Sequence, residues 1–526
     1  LRKNGGNGME QLEQKTTWMA KAALWLFLLA FGGIFVQIWL FNASFGYSPF
    51  LQAGLMACCL LAFWALYLLL KKTGLLGLLC RHKYRVMLAV VLCVFVVQLA
   101  VGFMTRQELN HDYGKVFNGA VMYVTDRDNP EFYVYDNYLH HWPNNMGEFA
   151  FLVTLFRAMQ AVGLDCFYDA MLLVGHLCFA LAAICTFLYL DKAFGVCAAF
   201  ASLLLYAAFL VVYVQSSAVY TDTMSIWCAP AALYVFERGK TARRLWARPL
   251  LWAGCGVLLA LGAKIKGSVL IVLLALLCEA AANGKWKRLL AAFLAAAVGF
   301  GAAYALCGAY DRALLLDPER VERESLPVTF WVMMGLSGEN GTYTQIDEDI
   351  TGWGRNQQEK REINLNEIKA RIGRMGPVGY MQFLHRKTTR TFGSGNADIS
   401  YMMSRGPLHP ERAVYQVILP EGRLYRYFDN LTQCVYLLFY PLGIFAAGRA
   451  LKKREHGILS HTAPFIALFG FYLFMLLWES NHRQLVNQWP LFFIAAAVGL
   501  CALTDWIKEK RGAYRRKKAA RLVEEG

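Results

Sequence analysis

The sequence predicts an all-α polytopic membrane protein with about twelve transmembrane helices (eleven to thirteen), and three observations predict it. Hydrophobic residues make up 57% of the 526 residues and charged residues only 17%, against about 25% charged in a soluble domain. Apolar runs of roughly 17–23 residues recur along the chain, the length that crosses a bilayer. The basic residues fall in short loops between those runs, as they do in cytoplasmic loops. A porin-like barrel would show short alternating strands instead. The loop placement also accounts for the net charge of +16, so no nucleic-acid partner is expected. Most of the 14 cysteines lie inside apolar runs, without metal-ligand spacing or a disulfide framework. They read as small buried hydrophobes.

Taken in order, residues 1–17 are a polar cytoplasmic tail. The apolar run at 18–41 has the length of an anchor, not of a cleavable signal peptide. Crossings at 22–41 and 50–70 lead to a basic loop, 71–85. A third crossing, 84–104, delivers the chain to the outer side, where the polar loop 105–147 follows. Let 168–190, 194–214, 218–236, 248–262, 268–281 and 288–310 each cross once. The basic loops 237–248 and 283–288 then fall inside, and the polar region 311–428 falls outside. Crossings at 429–448, 461–478 and 486–506 put 449–456 and the basic cytoplasmic tail 507–526 inside as well. The charge pattern closes only if the short apolar segment 148–164, with Glu148 and Arg157, does not cross. We expect it as a juxtamembrane helix.

The resulting organisation is an N-terminal transmembrane catalytic module (18–310), an extracytoplasmic subdomain (311–428) and C-terminal transmembrane helices (429–506). Within the subdomain Ile368, Ile372 and Met375 recur at helical spacing until Gly376-Pro377 breaks the helix. The stretch 378–392 is expected to lie along the membrane with Arg386, Lys387 and Arg390 toward headgroups.

Five polar clusters then meet the outer face: His111-Asp112; His140-His141-Trp142-Pro143-Asn144-Asn145; Tyr220-Thr221-Asp222-Thr223; Lys264-Ile265-Lys266; and the Glu479 to Arg483 turn. Charges at the rim of an apolar bundle are costly unless paired or used. Lys264, Lys266 and Arg483 could neutralise the phosphate of a lipid whose tail stays in the bilayer. Asp112 could serve as general base on an incoming hydroxyl or amine. Plainer readings stand beside these. Asp222 could cap a helix, the two lysines could snorkel, and Arg483 could pair with Glu479 four residues back. Asp126 and Asp128 are too poor in partners for a calcium site.

In this order the motifs resemble the membrane-embedded GT-C glycosyltransferases, in the bacterial branch with protein O-mannosyltransferases and lipid A aminoarabinose transferases. Almost the whole chain takes part. The signals are Asp112 after an early crossing, YLHHWPNNMGEF, VYTDT, GAKIKGSVLI, MGLSGENGTY, GRMGPVGYMQFLHRKTTRTFGSGNADI and WESNHRQLVNQWPLF. The resemblance implies a GT-C type fold and an inverting transfer from a polyprenyl-phosphate-linked sugar to a cell-envelope acceptor. That acceptor is a surface glycan, a lipid or a protein. The reaction lies on the extracytoplasmic face of a multi-pass plasma-membrane protein, among membrane lipids. Asp112, with His111 beside it, takes the catalytic position. Lys266 matches the family lysine, with Gly267 in place of the usual Pro. Glu479 and Arg483 match the late external acid-arginine pair. Lys264, Asp222, Tyr220, His140, His141, Asn144 and Asn145 complete the expected substrate-binding set. No cofactor is expected to be required; members of the group differ in metal use, and no metal set stands out here. The rival classes are a polyprenyl-linked glycan flippase and a polysaccharide polymerase. Crossings nearly free of buried charge speak against transport.

Overall fold

The computed structural model describes residues 6–41, 46–283, 286–453 and 456–524. Among these the architecture is all helical. There is no strand, only an isolated β-bridge between Gln107 and Pro407. Eight helices are long and apolar enough to cross a membrane: Trp18–Leu40, Pro49–Lys72, Lys83–Met104, Phe167–Ala193, Ala247–Ile265, Leu290–Leu314, Tyr425–Lys453 and His482–Lys518. Three shorter apolar helices, Val196–Ala208, Gly267–Ala282 and Ala463–Leu477, occupy three more of the expected crossings.

The expected crossing at 218–236 is not one helix. It divides into Thr221–Ser225 and Cys228–Thr241, with Tyr220 extended (φ −154°, ψ 179°) before the first. Local hydrogen bonds explain the break. The Thr223 hydroxyl donates to the Ala218 carbonyl and the Ser225 hydroxyl to the Thr221 carbonyl, so side chains serve groups that a continuous helix would serve with backbone. Irregular backbone inside an apolar bundle is tolerated where protein buries it or where it lines a cavity.

Burial follows the helical period on the spans. In Lys83–Met104, Met87, Val91, Val94 and Gln98 are buried, while Leu88, Leu92 and Val96 are exposed. An apolar exposed stripe opposite a buried one is what a lipid-facing helix presents. Lipid gives no hydrophobic drive between helices, so close backbone approach matters more. Helix Ala247–Ile265 meets Trp286–Leu314 through such an approach: a Cβ at Gly256 would overlap the Ala296 carbonyl, and one at Gly299 the Ala253 carbonyl. Aromatic rings fill the bundle centre, with Phe31 against Phe27, Tyr440 and Phe492.

Helix Met146–Ala161 is not among the candidate spans. It has two faces: Phe151, Arg157 and Gln160 lie exposed on one, and the other is packed. Phe149, Leu152, Val153 and Phe156 are all fully buried, Phe156 against Phe117 and Phe167. A second small core holds the 311–428 region together: Leu326, Phe330, Met333 and Met334, with Trp142, Trp331 and Ile368 packed on it. The long helix Gln357–Phe392 kinks at Gly376 (φ 61°, ψ 178°), ahead of Pro377, as the sequence predicts. Lys387 is a correction. It is buried rather than turned to headgroups, and its ammonium donates to the Gly335 carbonyl. It reaches inward because Gly335 and Gly341 leave room beside Nζ.

The opposite end of the bundle carries the basic side chains of the short loops. Lys83 pairs with Asp191 at 2.6 Å and Lys240 with Glu279 at 3.0 Å. Arg449 pairs with Glu509 at 2.7 Å, and Lys508 lies over the Tyr67 ring. Lys83 opens the 22-residue helix Lys83–Met104, so this end is about 33 Å from the loop that follows it.

Candidate functional site

Three interrupted helices converge at the loop end. The Thr221–Ser225 turn carries Asp222. Helix Ala247–Ile265 stops at Lys266, whose backbone is extended (φ −146°, ψ 111°), before the short 3-10 turn Gly267–Val269. The 3-10 stretch His482–Gln488 carries Arg483 and is capped by Asn481, whose side-chain oxygen accepts from the Arg483 amide at 3.0 Å. The breaks turn the three side chains toward one another. Lys266 Nζ lies 2.7 Å from Asp222 Oδ1 and Arg483 Nε lies 3.3 Å from Asp222 Oδ2. Asp222 is 1% exposed, its two cations 18% each. The carboxylate is therefore the floor of the cluster, and the cations remain reachable from above.

Aromatic and amide groups wall the cluster. The Arg483 guanidinium sits 4.6 Å from the centre of the Tyr220 ring. The Tyr220 hydroxyl donates to Asn145 Oδ1 at 2.9 Å, and Asn145 Nδ2 donates to the Tyr138 hydroxyl at 2.7 Å. Tyr138 in turn faces Asp112; burial first, and that carboxylate second, push its hydroxyl well above the usual range. Asp112 is half-buried in the first turn of helix His111–Thr125. His111 precedes it, exposed, in the left-handed region at φ 54°. For a non-glycine residue that backbone costs about 1–2 kcal/mol.

Two further acids complete the cluster. Glu148, in the first turn of Met146–Ala161, is 1% exposed. Burial raises its carboxyl well above the ordinary value, Asp222 adds to this, and Arg483 and Lys266 oppose it. Glu479 is raised in the same way, by burial against the pull of Arg483 and Lys266. Gln484 donates to it at 3.3 Å. In both carboxyls burial disfavours the charged form while the two cations favour it. Burial likewise pulls the Lys387 amine down to about 7, with Glu479 opposing.

The structure brings Asp112, Tyr220, Asp222, Lys266, Glu479, Arg483 and Asn145 into one neighbourhood. Lys264 is held apart. Its ammonium donates to Asp311 at 2.8 Å and lies over the Tyr304 ring. His140 ties two loops together, with Nδ1 2.8 Å from the Asp136 carbonyl and Nε2 accepting from the Asp317 amide at 3.1 Å. His141 lies 3.1 Å from Glu348, and exposed Asn144 donates to Asn145. Among the described residues no three or more His, Cys, Asp or Glu side chains come together as metal ligands. Sequence reading missed Glu148, Tyr138 and Lys387 as members of the site. Glu148 did carry a signal, a carboxylate in an otherwise apolar run.

Residues 16–502 match the model of the family described as conserved hypothetical integral membrane protein. No curated protein matches the chain. Among solved structures it is similar to the oligosaccharyltransferase AglB of Archaeoglobus fulgidus in complex with an inhibitory peptide and a dolichol-phosphate. That likeness has 12% identity and a TM-score of 0.43, over 82% of this chain and 52% of that one. The apo form of the same enzyme gives 13% identity and a TM-score of 0.42, over 82% and 52%. The chain thus spans about half the length of the solved structures it matches.

Proposed function

We propose that this chain, which belongs to the family of conserved hypothetical integral membrane proteins, is a GT-C type glycosyltransferase (EC 2.4 class). It takes the sugar of a polyprenyl-phosphate-linked donor and places it on a cell-envelope acceptor at the extracytoplasmic face. One observation carries the reading. Two reachable cations, Lys266 and Arg483, converge on a buried carboxylate at the same end of the bundle as the half-buried carboxylate of Asp112. A transfer with a phosphate leaving group asks for one base and a patch of positive charge opposite it.

In this reading the lipid phosphate lies against Lys266 and Arg483 and competes with Asp222 for them. Arg483 is pre-oriented by the Tyr220 ring and by its capped amide, so little side-chain freedom is lost on binding. Asp112 accepts the proton of the acceptor hydroxyl as its oxygen attacks the anomeric carbon. The bond from that carbon to the phosphate oxygen breaks on the opposite side, inverting the centre. The departing polyprenyl phosphate keeps the bonding electron pair, and its charge develops against the two cations. His111, exposed beside Asp112, passes the proton to water. Burial raises the carboxyls of Glu148 and Glu479, which disfavours further negative charge beside the two cations. Sidedness is supported by the basic pairs at the far end, which by the positive-inside tendency belong to the cytoplasm.

The test is turnover and binding with undecaprenyl-phosphate-linked sugars in proteoliposomes. Transfer that needs Asp112, and lipid-phosphate binding that needs Lys266, are the expected results. Lipid movement across the bilayer without transfer would favour a flippase and overturn the reading.

A further inference from the structure

At the loop end of the bundle stands a wall of three indoles that the reaction above does not use. Trp331 and Trp478 stack with centroids 5.4 Å apart and planes 8° apart. Trp142 meets Trp331 at 5.3 Å and Tyr343 at 6.5 Å. All three indoles are half-buried and Tyr343 is exposed. The wall joins pieces far apart in sequence: the 105–147 loop, the small core of the 311–428 region and the end of Ala463–Leu477. Its rim is polar. His141 lies 3.1 Å from one Glu348 oxygen, and the Tyr343 hydroxyl donates to the other at 2.7 Å.

The wall is placed relative to the base. Trp142 is one helical turn beyond Tyr138, its amide donating to the Tyr138 carbonyl at 2.8 Å. Tyr138 faces Asp112 on one side and the Asn145–Tyr220–Arg483 chain on the other. Asp112 also acts electrostatically on Tyr343. The base therefore neighbours both the cation cluster, through Tyr138, and the rim of the wall, through Tyr343. In an inverting displacement the acceptor oxygen enters on the face away from the leaving phosphate, so the group on the indole side of Asp112 is the acceptor.

We infer that the Trp142–Trp331–Trp478 wall, with His141 and Glu348 at its rim, is a saccharide subsite for an acceptor glycan. This rests on the transferase reading for the choice of acceptor over donor. A pyranose ring has an apolar C–H face and a hydroxyl edge. Trp478, stacked between Trp331 and Phe474, backs the wall; Trp142 and Trp331, partly exposed, offer area to the face at low entropic cost, and a carboxylate with an imidazole takes the edge. A few polar groups converging on an aromatic surface are the general form of a small-molecule site. A lipid acceptor would need no polar rim, and a flexible peptide would gain little from a flat stack.

The experiment uses the full-length protein in nanodiscs and equilibrium dialysis with end-labelled chitohexaose, cellohexaose and mannohexaose. Undecaprenyl phosphate and a Ser/Thr-rich peptide are measured in parallel. Binding of at least one hexasaccharide is expected, weakened about tenfold by Trp142→Ala and by a similar factor in Glu348→Gln, which keeps the side-chain volume; thermal unfolding of both variants checks that they fold. Undecaprenyl phosphate binding should change less than about twofold in both variants, while Lys266→Ala should show the converse. If no hexasaccharide binds while undecaprenyl phosphate does, the subsite is overturned and the transferase reading is not. Saccharide binding indifferent to both substitutions also overturns it. So does peptide binding that depends on Trp142. Saccharide binding that needs the wall, without any lipid-phosphate binding, would uphold the subsite and count against the transferase.

Discussion

Lys266 Nζ lies 2.7 Å from Asp222 Oδ1 in a pocket where the acid is 1% exposed and the lysine 18%. The inequality sets the consequence of cutting the pair. Lys266→Ala leaves a buried carboxylate on Arg483 alone, and breaking such a pair from one side costs about 3–5 kcal/mol. Lys266→Met with Asp222→Asn removes both charges and should regain most of that stability. It should not regain donor affinity, because the phosphate contact is gone. Thermal unfolding and undecaprenyl phosphate binding, measured on the single and double variants, read the two effects separately. Recovery of binding in the double variant would show that Lys266 serves structure only.

Asp112→Asn keeps the volume of the side chain and removes its basicity. Transfer should fall by about a hundredfold or more, with lipid-phosphate affinity changed far less, since Lys266 and Arg483 are paired directly to Asp222 and Asp112 acts on Arg483 only through its field. Single-turnover kinetics with saturating donor isolates the chemical step. Near-normal turnover in this variant would remove Asp112 from the base position.

The helical class was legible because apolar length and charge placement are one-dimensional signals. The broken crossing around Tyr220 and Asp222 was not. Its residues are apolar enough for a helix, and the break arises from Thr223 and Ser225 side chains bonding to carbonyls that only the folded bundle fixes. Arg483 could be singled out by its likeness to a late acid-arginine pair, and Lys266 as a positive charge on the side expected to lack them. Lys264 gave the same signal, yet Asp311, 47 residues on, takes it out of the cluster. Lys387 looked like one of three headgroup cations, and only tertiary packing shows it buried below Gly335. Sequence spacing finds charge at a face of the membrane. It does not tell which cation finds which acid.

Glu148 makes stability depend on pH. Its carboxyl is raised by burial first and Asp222 second, so the folded state prefers the protonated form. The contribution is complete below the unfolded carboxylate value of about 4.3. It is lost as pH rises from there toward the raised folded value. Glu479, raised by burial, acts in the same direction. The unfolding midpoint should therefore fall as pH is brought from about 4.5 to 7, and Glu148→Gln should flatten that fall. A variant with the wild-type slope would mean that Glu148 titrates alike in both states.

Gly147 decides how closely helix Met146–Ala161 approaches the turn that presents Lys266. A Cβ at Gly147 would overlap the Lys264 carbonyl, backbone that cannot turn aside as a side-chain tip could. Gly147→Ala must move either the helix or the Lys264–Lys266 turn. Overpacking of this kind costs about 1–3 kcal/mol. The helix carries Glu148 in its first turn, and Asn145, which bridges Tyr138 and Tyr220, lies just before it. A shift of the helix would thus loosen the ring under Arg483 as well as the turn of Lys266. Donor affinity should drop about tenfold, even though no atom that meets phosphate has been changed. Val153→Ala, farther along the packed face of the same helix, removes buried packing and should lower stability by a similar amount with donor affinity kept. Equal loss of donor affinity in both variants would mean that the helix matters for stability alone, and that its approach to the lysine turn does not set the site.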